Sequence, residues 1–193
     1  MPRSGKSRPR AGALLLTPGA GANRDQHTLV AVEQAVAPLP CARIDFPYRQ
    51  RGSRVPDKPP VAVAHLRAEA AALVTTAGID ADQVVLGGRS YGGRMCSMAV
   101  AEGLPAAGLV LLSYPLHPPG KPDALRVQHF SDISVPVLMI SGRADPFGSP
   151  DEFDAHIGAI RGAVTQVWLP GGHDPRRADP TIAETVRSWI AAL

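Results

Sequence analysis

Apolar runs of strand length alternate with helix-periodic segments along this chain. The runs are Ala11–Thr17, Ala42–Phe46, Gln83–Gly87, Gly108–Ser113, Val135–Ser141 and Thr165–Leu169. Most lack an in–out alternation, the pattern of parallel strands covered on both faces. Between them, His27–Ala37 carries Leu29, Val30, Val32 and Val36. Val61–Ala77 is alanine-rich, opens after Pro59-Pro60 and stops at Gly78, a helix start and stop. Gly93–Glu102 and Asp151–Ile160 are expected as further helices. The second begins with a capping box, Ser149 as N-cap and Glu152 three residues on. The last helix starts at Asp179-Pro180 and spaces Ile182, Val186, Trp189, Ile190 and Leu193 on one face. Strand and helix in alternation predict an α/β domain: a mostly parallel sheet of about six strands with helices on both faces. Ligands bind such sheets beyond the carboxyl ends of the strands. The long irregular stretches Pro47–Pro60 and Tyr114–Asp123 follow strands and fall on that side.

A length of 193 residues suits one domain, and 45% hydrophobic against 19% charged residues permits a full core. Much of the net charge of +3 sits in the first ten residues, at Arg3, Lys6, Arg8 and Arg10 among Pro, Ser and Gly. Residues 1–10 therefore read as a solvated, disordered tail, and 11–193 as the domain. No aromatic residues interleave with those charges, which argues against nucleic acid as a partner. Ala11–Leu16 is too short for a signal-peptide core, and no run approaches the roughly 20 apolar residues of a membrane span. Cys41 and Cys96 have neither disulfide-framework nor metal spacing. They read as apolar fillers in a reducing cytoplasm. With no phosphate loop and no zinc-like cluster, no cofactor and no metal are expected.

The chemistry concentrates at Gly88-Arg89-Ser90-Tyr91-Gly92. This G-x-S-x-G pattern lies between a strand-like run and a helix-like run, which puts Ser90 on a sharp turn between them. A serine at neutral pH needs a base within hydrogen-bond reach, and the base needs an orienting acid. Asp145 follows the strand Val135–Ser141, and His173 follows the last strand. Nucleophile, acid and base thus come in a workable order at one sheet edge. Asp45, near the end of the second strand but ahead of the serine, is the rival acid, and His117, in the loop after the fourth, is the rival base. An oxyanion hole is expected from the backbone amide of Tyr91 and from the loop after the first strand, at Ala20. Tyr48, Tyr91, Leu116, His117 and Phe147 are expected to rim a shallow pocket. Arg89 and Arg94 flank the serine and are expected to pair with acids such as Asp45.

These residues resemble the α/β-hydrolase superfamily over nearly the whole chain. Narrower strings include Pro18-Gly19-Ala20-Gly21, Asp45-Phe46-Pro47-Tyr48-Arg49 and Arg54-Val55-Pro56-Asp57. The elbow extended to Gly93-Arg94, Tyr114-Pro115-Leu116-His117-Pro118-Pro119-Gly120-Lys121-Pro122 and Asp145-Pro146-Phe147-Gly148 complete the set. Together they are similar to a small dienelactone-hydrolase-related subfamily. It includes testis-expressed protein thirty and the hydrolase-like domain of a histone-acetyltransferase complex subunit. The resemblance implies a three-layer hydrolase fold without a separate cap domain. It also implies an intracellular serine hydrolase with Ser90, Asp145 and His173 as triad; the elbow and the order of those residues lead to the expectation of a small ester or thioester substrate. Dienelactone hydrolases proper carry a cysteine where this chain has Ser90. The alternative is a catalytically silent binding or scaffold protein on the same fold, in which the His173 ring turns away from Ser90.

Overall fold

The computed structural model describes residues 10–193, so the basic segment expected as a tail lies, but for Arg10, outside the described residues. In chain order the elements are β1 (Ala13–Thr17), α1 (His27–Val36), β2 (Cys41–Arg43), α2 (Pro47–Gln50), α3 (Pro59–Ala77) and β3 (Val84–Arg89). They continue with α4 (Tyr91–Ala101), β4 (Gly108–Leu112), β5 (Val137–Gly142), α5 (Pro150–Asp154), β6 (Val164–Leu169) and α6 (Asp179–Ala191). The strands form one sheet in the order β2-β1-β3-β4-β5-β6, and every neighbouring pair is parallel.

Strand residues alternate between two apolar layers, which is why their sequence is apolar without alternation. Ala13 and Leu15, Val84 and Leu86, Leu109 and Leu111 face one core, shared with α3 and α4 through Leu66, Ala70, Met95 and Ala99. Leu14 and Leu16, Val85, Val110 and Leu112 face the other, shared with α1 and α6 through Leu29, Val32, Ile182 and Val186. The chain runs outward from β1 to β2 and returns to β3 on the far side of β1. The strand order therefore reverses between β1 and β3, and a crevice opens at their carboxyl ends.

The terminal signals hold. Gly78 ends α3 in the left-handed conformation (φ 65°), and its amide bonds to the Val74 carbonyl. Ser149 and Glu152 form the capping box at the start of α5. Two expectations are corrected. The helix expected over Asp151–Ile160 stops at Asp154 and resumes only as a single 3₁₀ turn at Ile157–Ala159. His156-Ile157-Gly158 is a weak helical sequence, and Gly158 costs roughly 1 kcal/mol in a helix interior. The second strand closes after Arg43 instead of running to Phe46. It is an edge strand with three residues paired to β1, and Phe46 leaves it to pack in the core beside Tyr48 and Tyr91. Within the irregular stretch after it, Pro47 starts the short α2 and Asp57 accepts the Tyr48 amide at 2.8 Å.

Candidate active site

Ser90 stands between β3 and α4 with φ 49° and ψ −116°. A side chain rarely adopts that backbone, and its cost of about 1–3 kcal/mol marks a residue held in place by its surroundings. The surroundings are glycines. A Cβ on Gly88 would meet the Gly92 carbonyl carbon and the Gly93 nitrogen at 2.7 Å, and would collide with Thr17 Oγ1. A Cβ on Gly92 would meet the Thr17 and Pro18 carbonyl oxygens at 2.7 and 2.5 Å. Strand, helix and the end of β1 are in contact there, and only glycine fits. Beneath the turn, Cys96 is buried and its thiol is pushed up to about 12, chiefly by that burial. Half-buried Cys41 is raised to about 12 mainly for the same reason. Neither thiol is a nucleophile near neutrality.

His173 Nε2 lies 2.9 Å from Ser90 Oγ, and His173 Nδ1 lies 2.8 Å from Asp145 Oδ2 and 3.0 Å from Oδ1. The Asp145 side chain is 2% exposed and the His173 side chain 23%. The Phe147 amide donates to Asp145 Oδ1 at 2.9 Å, and the Phe147 ring lies over the imidazole with centroids 4.2 Å apart. The loops after β5 and β6 are tied together: the Arg143 amide donates to the Leu169 carbonyl and the Ala144 amide to Gly171, both at 2.9 Å. Gly142 permits this, because a Cβ there would run into the Gly171 and Gly172 backbone. With Nδ1–H on the carboxylate, Nε2 is left as an acceptor for the serine hydroxyl.

The crevice beside Ser90 holds about 380 Å³ and is lined by Ala20, Tyr91 and Phe147 among others. Ala20 and Tyr91, the two expected amide donors, thus share one cleft with Ser90 and His173. The Tyr91 hydroxyl turns away and donates to the Asp57 carbonyl at 2.8 Å, and burial raises its pKa.

Three expected rim residues lie in the interior instead. Tyr48 and Leu116 are 0% exposed and His117 is 5% exposed. The chain turns inward after β2 and β4, so these side chains support the rim from below. Tyr48 packs edge-on to Tyr91, while His117 meets the Pro118 carbonyl at 2.8 Å and Glu152 at 3.2 Å. His117 is therefore not positioned as the base for Ser90. The rival acid, Asp45, accepts the Arg24 amide at 2.7 Å.

Of the two flanking arginines expected to pair with acids such as Asp45, Arg89 finds an acid, though a different one. Arg89, on the nucleophile strand, pairs with Asp174 at 3.0 Å and donates to the His173 carbonyl. Arg94 points into the cleft, and Arg126 joins it from the connection after β4. The sequence reading passed over Arg126. It lies beyond the proline-rich stretch, and no local pattern aims it at Ser90.

One six-stranded parallel sheet with helices on both faces and a strained strand-to-helix turn at Ser90 is the architecture of the alpha/beta hydrolase class. The chain belongs to the alpha/beta hydrolase family: the model of the alpha/beta hydrolase domain matches residues 10–190. Solved structures agree on the fold. Est1E from Butyrivibrio proteoclasticus, in a structure with ferulic acid bound, is 14% identical with a TM-score of 0.77, over 95% of this chain and 89% of that one. A dienelactone hydrolase from Anabaena variabilis is 18% identical with a TM-score of 0.73, over 95% and 87%. An alpha-beta serine hydrolase homologue from Coxiella burnetii is 17% identical with a TM-score of 0.72, over 94% and 88%.

Proposed function

We propose that this protein is a serine hydrolase that cleaves a small carboxylic ester or thioester through an acyl-enzyme on Ser90. The observation that carries the reading is the 2.9 Å approach of His173 Nε2 to Ser90 Oγ, with Asp145 behind Nδ1. In the first half-reaction Ser90 Oγ bonds to the carbonyl carbon and passes its proton to His173 Nε2. Asp145 fixes the tautomer and stabilises the imidazolium without taking the proton. The carbonyl oxygen gains negative charge and is held by the amides of Tyr91 and Ala20. The intermediate collapses when Nε2–H protonates the departing alkoxide or thiolate. In the second half-reaction water gives its proton to His173, attacks the acyl carbon and releases the acid, and the proton returns to Ser90.

A cleft of about 380 Å³ supports a short or flat acyl group over a bulky lipid chain. Two free thiols, Cys41 and Cys96, support a reducing, cytoplasmic setting. Among the described residues no helix is long and apolar enough to cross a membrane. A scaffold that has lost turnover has less support, because its expected mark was a His173 ring turned away from Ser90. The test is turnover of p-nitrophenyl acetate and butyrate by purified protein, compared with Ser90→Ala. A fall of about 10⁴–10⁶-fold supports the reading, and an equal rate in the two proteins contradicts it.

A further inference from the structure

The cleft beside Ser90 carries positive charge that the carboxylates among the described residues neutralise only in part. Three arginines line it: Arg89, Arg94 and Arg126. Arg89 is engaged by Asp174 and by the His173 carbonyl. Arg94 and Arg126 are different. Among the described residues neither makes an ion pair with a carboxylate, unlike Arg89 in the same cleft. Arg94 Nε is buried and has no hydrogen-bond acceptor, which costs more than a polar atom left in water. Arg94 also stands in the first turn of α4, where the helix dipole disfavours a cation. The two charges sense one another: Arg126 loses basicity first through burial and then through the Arg94 charge. His129, close by on Ser97, is pushed down to about 4 by burial and by Arg94, so it adds no charge near neutrality. An arrangement this costly in the free protein becomes favourable once an anion lies between the two guanidinium groups.

Resting on the serine-hydrolase reading, we infer that the substrate carries an anionic group of its own, a carboxylate or phosphate, which Arg94 and Arg126 hold while Ser90 attacks the carbonyl. Both guanidinium groups can present paired N–H donors to two oxygens of such a group. The cleft volume limits the distance between anion and ester to a few bonds. A half-ester of a short dicarboxylic acid has this form, as does an ester whose alcohol bears a carboxylate or a phosphate.

The test compares matched charged and neutral esters. Mono-p-nitrophenyl glutarate against its methyl ester places the anion on the acyl side, and 4-acetoxybenzoate against methyl 4-acetoxybenzoate places it on the leaving group. Wild-type protein is expected to favour the anion in at least one pair by tenfold or more in kcat/KM. That preference should fall below threefold in Arg94→Gln and in Arg126→Gln, and should shrink between 0.05 and 0.5 M NaCl as the charges are screened. The absence of preference in both pairs, or a preference that survives both substitutions, overturns the inference. A binding arm is independent of turnover and of whether the single variants fold. Folded Ser90→Ala is titrated calorimetrically with monomethyl glutarate and separately with inorganic phosphate, which distinguishes the two anions. Binding of one of them, competed by salt and weakened by adding Arg126→Gln, supports the anion site even if no ester is hydrolysed. No binding of either anion counts against it even if fluorophosphonate labels Ser90, so the two readings fail separately.

Discussion

Arg89 donates a hydrogen bond to the backbone carbonyl of His173. The residue next to the candidate nucleophile in sequence thereby holds the loop that carries the candidate base. The same guanidinium pairs with Asp174 at 3.0 Å, and Asp174 in turn lies 3.3 Å from His27 Nε2 on α1. Three segments distant in sequence are thus fixed around the Ser90–His173 contact. Replacing Arg89 by Met should keep the fold and lower kcat by about 10–100-fold, since small misplacement of reacting groups costs that much. KM should change less than kcat. Steady-state kinetics with a circular-dichroism check of the fold measures both, and an unchanged kcat would show that the loop holds its position without Arg89.

Asp145 acts through His173. Asp145→Asn should leave thermal stability within a few degrees and reduce kcat by about 10⁴-fold, because an amide can donate to Nδ1 and select the wrong tautomer. His117→Ala serves as the contrast. It should alter stability through the lost Glu152 contact while the acid limb of the pH–rate profile remains. Loss of that limb in His117→Ala would reassign the base.

The elbow glycines are a packing requirement. Gly92→Ala places a methyl group against the Thr17 and Pro18 carbonyls, so a loss of roughly 1–3 kcal/mol is expected from overpacking. A chemical denaturation series reads this directly. Gly103 is a useful contrast: it has a positive φ, 89°, which Gly92 lacks, and a Cβ there meets nothing within 4 Å, so its alanine variant tests backbone strain alone.

His129 predicts a specific acid sensitivity. Its pKa is pushed down to about 4 by burial first and by Arg94 second, with Asp132 opposing. In the unfolded chain a histidine titrates near 6.5. Between those values the unfolded state binds the extra proton, so stability is full above about pH 6.5 and is lost as pH falls toward 4. His129→Asn removes the titrating ring and should flatten the fall of Tm across that window relative to wild type. Parallel Tm curves for the two proteins would assign the acid sensitivity to other groups.

The four central strands were legible because both faces of the sheet are buried there, which makes each of them a continuous apolar run such as Leu14-Leu15-Leu16. The positions of Ser90, Asp145 and His173 followed from residue type and strand ends, since parallel strands deliver their carboxyl ends to one edge. What the sequence could not convey was side-chain direction in the long connections. Tyr48, Leu116 and His117 follow strands just as Phe147 does, yet only Phe147 reaches the cleft. The fate of Arg89 and Arg94 was equally hidden. One finds Asp174 across the loop and the other meets no acid among the described residues, and this depends on contacts between segments about 80 residues apart.

The measurement that bears most directly on the central claim is labelling with a fluorophosphonate probe, followed by peptide mass spectrometry. Wild-type protein should gain one phosphonyl adduct, on the peptide containing Ser90. Ser90→Ala should gain none, and folded His173→Ala should react at least 100-fold more slowly. Folded wild-type protein that takes up no adduct, or an adduct that maps to a serine other than Ser90, would contradict the account.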